Sequence, residues 1–244
     1  MQMDPAIGWS AEITARSQKI LLSLKQGEPL QYVLQEAWFD GTPFYVDASV
    51  LIPRPETEEL LDWIRKDTPP SPAPQRILDV GTGSGILAIS LKRCYPNAIV
   101  TAIDISDSAI RTAQLNADKK NIDIIFLQRD FTDTNAWNSL GEYDLIVSNP
   151  PYISLQEKES MATHVVNYEP APALFVTGND PLLFYRLLAA FGKKQLVNNG
   201  KLFVEIHEDR SEQTNEIFIQ SGYVTEIRKD MQGKQRMIRA TRTR

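Results

Sequence analysis

Apolar and polar positions repeat with two different habits along this chain: helical near the amino end, then strand followed by helix from about residue 75 onward. From Ile7 to about Lys25, Ile13, Ile20, Leu21 and Leu24 recur against Glu12, Arg16, Lys19 and Lys25, which predicts one or two amphipathic helices. Gly27-Glu28-Pro29 stops them. Ala37-Trp38-Phe39 and Phe44-Tyr45-Val46 flank Asp40-Gly41-Thr42-Pro43 and predict a strand pair around a turn. Pro55 opens the next helix at its first turn, with Glu56, Glu58 and Glu59 near the positive end of its dipole and Leu60, Trp63 and Ile64 as its apolar stripe. The four prolines between Pro69 and Pro74 end it and stiffen the linker.

Beyond the linker the pattern predicts strand 76–80, helix 85–93, strand 98–103, helix 106–117, and strands 122–127 and 143–148. Helix 181–196, strand 201–206, helix 210–220 and two β-rich stretches, 223–228 and 236–241, follow. Such alternation demands a parallel sheet with right-handed crossovers. The last two stretches are close enough around Gln232-Gly233 to form an antiparallel hairpin. A parallel sheet ending in an antiparallel pair is the Rossmann-like methyltransferase arrangement. The predicted fold is therefore α/β, a mostly parallel seven-stranded sheet with a terminal antiparallel hairpin. A short helical segment and β-hairpin (1–47) are expected to precede the catalytic domain (48–244).

Composition adds bounds rather than chemistry. At 244 residues, 42% of them hydrophobic and 23% charged, the chain can bury a true core, and no apolar run approaches the roughly 20 residues that span a bilayer. Met1-Gln2-Met3-Asp4-Pro5 lacks the features of a secretory signal, and the single cysteine, Cys94, excludes an intramolecular disulfide. A cytoplasmic protein is expected, without membrane association. A net charge of −5 argues against extended contact with nucleic-acid phosphates. Arg228, Lys229, Lys234, Arg236, Arg239, Arg242 and Arg244 cluster locally, as a solvated strand edge and tail or as a patch for a nucleoprotein partner. His164 and His207 fit no metal-ligand spacing and read as surface or structural residues.

Asp79-Val80-Gly81-Thr82-Gly83-Ser84-Gly85 joins the first strand of the repeat to its helix, where glycines let backbone N–H groups approach a nucleotide-like ligand. The dinucleotide fingerprint needs glycines at relative positions one, three and six, and Ile86 occupies the sixth. The spacing favours S-adenosylmethionine over NAD or FAD. Asp104 ends the next strand about 20 residues on, where a carboxylate can accept both ribose hydroxyls; a helix cap is its alternative role, one that Ser106 can fill. Asp130-Phe131 is placed at the third strand end, offering a carboxylate or backbone group to an adenine amino group and a ring beside it. The cofactor candidates are thus Gly81, Thr82, Gly83, Ser84, Gly85, Asp104, Asp130, Phe131 and Asn149.

Asn149-Pro150-Pro151-Tyr152 follows the apolar strand Asp144-Leu145-Ile146-Val147-Ser148, so it falls where open α/β sheets do their chemistry. Two prolines stiffen the loop and fix its carbonyls. An amide nitrogen is a poor nucleophile because its lone pair is delocalised. The Asn149 side-chain oxygen and the Pro150 carbonyl can each accept a hydrogen from a target –NH₂, orienting it and draining charge as a methyl arrives. Tyr152 can stack on the target plane. Asn149, Pro150 and Tyr152 are the catalytic candidates, and Asn149 to Tyr152, with Pro151, the substrate-binding ones. Adenine and glutamine amino groups ask for the same loop, so these residues alone leave both open.

More of the chain resembles one family, the glutamine N5-methyltransferases of peptide chain release factors. The likeness rests on Gly27-Glu28-Pro29-Leu30-Gln31-Tyr32, on Val50-Leu51-Ile52-Pro53-Arg54-Pro55-Glu56-Thr57-Glu58, on Ile77 through Gly85 and on Asn149 to Tyr152. Tyr168-Glu169-Pro170, Ala173-Leu174, Gly178, Tyr185-Arg186 and Asp230-Met231-Gln232-Gly233-Lys234-Gln235-Arg236 extend it. The resemblance implies a class I S-adenosylmethionine-dependent enzyme, with the cofactor on Gly81 to Gly85, Asp104, Phe131 and Asn149. It also implies that the substrate is the glutamine of the Gly-Gly-Gln motif of class-1 release factors, bound at Asn149 to Tyr152. A monomer acting on a protein partner is expected. Only 26 residues precede Gly27, fewer than in the helical amino-terminal domain usual in the family, which is expected to spare cofactor chemistry and weaken the hold on the release factor. Arg54 and Glu56 are expected either to shape the pocket or to serve as surface and cap residues. The rival functions are N6-adenine methylation of DNA or RNA, glutamine methylation of a ribosomal protein, and non-catalytic binding.

Overall fold

The computed structural model describes residues 10–243 except 70, 177 and 179, so the predicted helix start at Ile7, Pro70 of the linker and Arg244 of the basic cluster lie outside the described residues. The chain begins with α1 (Ala11–Lys25), capped by Ser10 accepting from the Ile13 amide at 3.2 Å, and α2 (Leu30–Leu34). A hairpin, β1 (Ala37–Phe39) and β2 (Thr42–Phe44), leads to α3 (Pro55–Asp67). The repeating part runs β3 (Arg76–Val80), α4 (Ile86–Cys94), β4 (Ile99–Asp104), α5 (Asp107–Lys120), β5 (Ile125–Gln128) and β6 (Tyr143–Ser148). Two short helices, α6 (Thr163–Tyr168) and α7 (Ala171–Leu174), precede α8 (Leu183–Gln195), β7 (Leu196–Glu205), α9 (Ser211–Gln220), β8 (Tyr223–Lys229) and β9 (Gln235–Arg242). Among the described residues no helix is long and apolar enough to cross a membrane.

The seven strands order as β5-β4-β3-β6-β7-β9-β8, parallel through β7 and antiparallel at the β7/β9 and β9/β8 pairs. Successive strand residues point to opposite faces, so each buried strand feeds two cores. Ile77, Leu145, Phe203 and Met237 pack under Leu60, Leu61, Trp63 and Ile64 of α3 and Ile89 of α4. Their neighbours Leu78, Ile146, Leu202, Val204 and Ile238 pack under Tyr185, Leu188 and Phe191 of α8 and Phe218 of α9.

The hairpin departs from the predicted strands. Asp40 and Gly41 both take positive φ (51° and 67°), which makes a two-residue turn and draws Thr42 and Pro43 into β2. Tyr45 leaves the ladder because Asn116 Oδ1 accepts its amide at 2.7 Å and Asn116 Nδ2 donates to its carbonyl at 2.9 Å. Phe39 and Phe44 are buried in the same cluster as α3 and α4, and Arg65 clamps Asp40 through both carboxylate oxygens at 2.7 and 2.5 Å. The hairpin is thereby continuous with the main core. β7 also starts five residues before the predicted 201: Leu196 pairs with Tyr143, then residues 197–200 bulge, with Asn199 at φ 63°, before Lys201 resumes pairing.

In the basic cluster near the carboxyl end Lys229 is exposed, while five other members have partners. Arg239 pairs with Asp67 and Glu226, Arg236 with Glu208 and Asp230, and Lys234 with Glu208. Arg242 donates to the Leu196 carbonyl, and Arg228 lies over the Trp63 ring at 5.6 Å. These cations fasten β8 and β9 to their neighbours.

Candidate active site

The loops leaving β3, β4 and β6 meet at the carboxyl edge of the sheet, where β4 and β6 flank β3 on opposite sides and a crevice opens. They surround a cavity of about 500 Å³. In the β3 loop Gly81 and Gly83 hold φ of 74° and 54°, a left-handed backbone that glycine adopts without the cost of a Cβ. Gly81 and Thr82 amides both donate to the Ile103 carbonyl, at 2.9 and 3.0 Å, and the Gly83 amide donates to Asp104 Oδ2 at 2.9 Å. The loop is thus stapled to the end of β4. Gly81, Thr82, Gly83 and Ser84 line the cavity. Gly85, expected among the cofactor contacts, does not: a Cβ there would sit 3.0 Å from Ala113 Cβ, so this glycine serves the close approach of α4 to α5.

Asp104 lines the same cavity. Its Oδ1 accepts the Ser106 amide at 2.9 Å, while the Ser106 hydroxyl caps α5 by accepting from the Ala109 amide at 3.2 Å. The cap role falls to Ser106, and with the Ser106, Gly83 and Ile105 amides on it the Asp104 carboxylate still has acceptor capacity for a ligand. Burial raises the Asp104 pKa above the usual carboxylate value. Asp130 lies two residues past the end of β5, not at its end; its Oδ1 accepts from the Thr132 amide and hydroxyl at 2.8 and 2.7 Å. Phe131 is buried, packed against Trp137 and Phe191 with ring centroids 5.4 and 5.3 Å away. Both Asp130 and Phe131 border the cavity.

The residues present fit a nucleoside. Val80, Ile103 and Phe131 supply apolar walls, Asp104 an acceptor for a vicinal diol, and the glycine loop a surface on which backbone can approach closely. Ile105, also in the wall, is 55% exposed although apolar, as expected of a side chain that a planar ligand covers.

Asn149 and Pro150 form a wall shared with a second cavity of about 280 Å³, which Tyr152, Met161, Val165 and Leu174 complete. Pro151 borders only the larger cavity and Tyr152 only the smaller. Arg54 borders both, held by Glu169 at 2.5 Å; Glu169 also accepts the Ile52 amide at 3.2 Å. Glu56, half-buried in the first turn of α3, lines neither.

Two further side chains, absent from the sequence candidates, stand behind Asn149. Its Nδ2 donates to Thr57 Oγ1 at 3.0 Å; Thr57 donates to Glu205 Oε2 at 2.6 Å; and the Tyr152 hydroxyl donates to Glu205 Oε1 at 3.3 Å. Glu205 is 2% exposed, and burial pushes its pKa up to about 7. Burial likewise drives the Tyr152 hydroxyl well above its ordinary value. Its ring meets His207 edge-on at 5.7 Å. Among the described residues no cluster could hold a metal ion.

Under the glycine loop, Asp79 Oδ2 accepts from the Thr82 hydroxyl at 2.7 Å and the Ala88 amide at 3.2 Å, while buried Oδ1 has no partner among the described residues. Burial lifts this pKa from 3.8 to about 7. The folded state therefore holds the proton more tightly than the unfolded one, and the stability this contributes is complete below pH 3.8 and lost as pH rises through 7. Asp79→Asn keeps an oxygen at the Oδ2 position and removes the charge. It is expected to raise Tm at pH 8 and to leave it nearly unchanged at pH 4; equal shifts at both pH values would show that Asp79 does not titrate in this way.

A glycine-loop cavity beside a strand-end carboxylate, on a seven-stranded sheet with a reversed last pair, defines a class I S-adenosylmethionine-dependent methyltransferase. The family described as methyltransferase small domain matches residues 57–204. The chain is 46% identical over 223 residues to the release factor glutamine methyltransferase of Flavobacterium psychrophilum, covering 90% of this chain and 78% of that one. It is 40% identical over 226 residues to the enzyme of the same name from Bacteroides thetaiotaomicron, covering 92% and 80%. A methyltransferase crystal structure from Pyrococcus furiosus shares the fold at a TM-score of 0.58 and 16% identity, over 94% of this chain and 99% of that one. The chain belongs to the release factor glutamine methyltransferase family.

Proposed function

We propose that this protein transfers the methyl group of S-adenosylmethionine to the side-chain amide nitrogen, N5, of the glutamine in the Gly-Gly-Gln motif of class-1 peptide chain release factors, and so modulates translation termination. The observation that carries the proposal is the position of Asn149 and Pro150, which border both cavities. Gly81 to Ser84, Asp104, Asp130 and Phe131 would hold the cofactor in the larger cavity. When bound there, S-adenosylmethionine supplies an electrophilic methyl on a sulfonium. The smaller cavity, with Tyr152 in its wall, is narrow enough to suit a single side chain.

No intramolecular donor among the described residues reaches Asn149 Oδ1 or the Pro150 carbonyl, which leaves both oxygens for the two hydrogens of a target amide. Accepting them orients the nitrogen lone pair toward the shared opening and favours the pyramidal form. It also stabilises the positive charge that grows on nitrogen until a proton is lost to solvent. Arg54, fixed by Glu169, borders the opening and would meet the substrate backbone. The 24–31 segment would add to the docking surface through the cleft of about 400 Å³ that it forms with Arg54, His164 and Glu169. A cytoplasmic monomer with a protein substrate is the setting this reading implies. The ion pairing of the basic cluster argues against a nucleic-acid substrate, because few cations remain to displace counterions.

Incubation with labelled methyl donor and three acceptors tests the proposal: a release factor, its Gly-Gly-Gln variant with the glutamine replaced, and duplex DNA. Label is expected on the intact release factor alone. Label on DNA, or undiminished label on the variant, would overturn it.

A further inference from the structure

We infer that Glu205, acting through the Thr57 hydroxyl, fixes which end of the Asn149 amide faces the substrate and is a positioning residue for methyl transfer. The inference rests on the glutamine reading above and deepens it.

The logic is one of donors and acceptors along the chain Glu205, Thr57, Asn149. An ionised carboxylate only accepts, and a hydroxyl has a single proton to give. With Glu205 Oε2 2.6 Å from Thr57 Oγ1, the Thr57 proton is committed to the carboxylate. Thr57 can then only accept from Asn149, which must present Nδ2 at 3.0 Å and turn Oδ1 toward the cavities. The second carboxylate oxygen is committed in the same way to the Tyr152 hydroxyl at 3.3 Å, so one buried group sets both the amide and the phenol of the loop. Three elements distant in sequence cooperate: Thr57 lies in the first turn of α3, Glu205 at the carboxyl end of β7, and Asn149 just past β6.

Protonating Glu205 reverses the chain. Its new O–H can donate to Thr57, Thr57 can donate to Asn149 Oδ1, and the amide then presents –NH₂ to a target that is itself –NH₂. An acceptor becomes a donor, and the target amide loses one of its two anchors.

Several groups face Glu205 and bias its titration. Glu56 and Thr57 come from α3, Tyr152 from the loop after β6, and Arg236 from β9. The Tyr185 hydroxyl of α8 donates to the Glu205 backbone carbonyl at 3.4 Å, and His207 follows two residues along the chain. Glu56 disfavours the ionised form and Arg236 favours it, while burial is the largest influence and sets the value near 7. The productive amide orientation is therefore gained as pH rises through neutrality.

Two readouts test this. For turnover, kcat of the wild type on the release factor is expected to rise with pH through about 7 and then level. Glu205→Gln and Thr57→Val are expected to be about tenfold slower at pH 8. Glu205→Gln should lose the titration near neutrality, and Thr57→Ser, which keeps the hydroxyl, should recover most of the rate. A melting curve of each variant reports an intact fold, and binding of S-adenosylhomocysteine by Glu205→Gln, whose site lies outside the larger cavity, should match the wild type when measured calorimetrically. The second readout needs no substrate: the Asn149 side-chain amide resonances should shift with a midpoint near pH 7 in the wild type and stay flat in Glu205→Gln. A wild-type amide that does not titrate, or a Glu205→Gln profile that keeps the neutral titration in both rate and resonance, would overturn the inference. If release factor is not labelled at all while the resonance titrates as described, the substrate reading fails and the positioning chain stands.

Discussion

Asn149→Ala is expected to lower kcat by about 10²–10³-fold, the loss seen when one preorganised polar group is removed from a developing charge. Affinity for the methyl donor should change far less. The difference follows from what each face of the side chain touches. Nδ2 is spent on Thr57, while Oδ1 accepts from no donor among the described residues and stands in the wall between the two cavities. Truncation removes an acceptor whose value grows as the target nitrogen becomes positive, so the loss belongs to the transition state rather than to ground-state binding. It also strands the Thr57 oxygen without its donor, a small structural cost that a melting curve would report separately. Single-turnover rates at saturating donor and release factor make the measurement. An unchanged rate would remove Asn149 from catalysis and shift the burden to the Pro150 carbonyl.

Much of the architecture is legible in the sequence because buried parallel strands read as unbroken apolar runs and their helices begin at recognisable turns. Arg76–Val80 and Tyr143–Ser148 fall where the pattern puts them, and so do the Pro55 helix and the terminal hairpin. β2 does not, because proline argues against a strand interior, whereas Pro43 sits in a two-stranded ribbon whose partner demands no amide from it. The 155–174 region has no period to read, since its short helices pack through a few side chains such as Leu174 rather than along a stripe.

The site divides in the same way. Glycines, Asp104 and the Asn-Pro-Pro-Tyr loop announce themselves by their place after strands. Thr57 does not, because its contact with Glu205 spans 148 residues and no local pattern encodes it. Glu205 carried a readable mark: a lone acid at the carboxyl end of the apolar strand Leu202-Phe203-Val204, in the same position that singled out Asp104. Gly85 shows the converse, a motif residue whose φ of 82° and close packing against Ala113 call for glycine without reference to a ligand.

Asp104→Ala should have the complementary effect, raising the Kd of S-adenosylhomocysteine by about 10²-fold, as loss of a charged hydrogen-bonding partner worth roughly 2–3 kcal/mol predicts. Two losses combine. The diol of the nucleoside forfeits its acceptor, and the Gly83 and Ser106 amides, at 2.9 Å from the two carboxylate oxygens, are released together, which loosens the glycine loop from the end of β4. The second contribution separates from the first with Asp104→Asn. The amide keeps one acceptor oxygen and trades the other for a donor, so it retains part of the loop's anchorage and part of the diol's, and should fall between wild type and alanine. Since Asp104 lines the larger cavity and not the smaller, kcat at saturating donor should stay close to wild type. Calorimetric titration of the three proteins, with turnover at saturation, decides it. A wild-type Kd in Asp104→Ala would mean that the carboxylate faces the loop alone and that the nucleoside lies elsewhere in the cavity. A collapse of kcat with Kd preserved would instead tie the β4 end to the chemistry that Asn149 is held to perform.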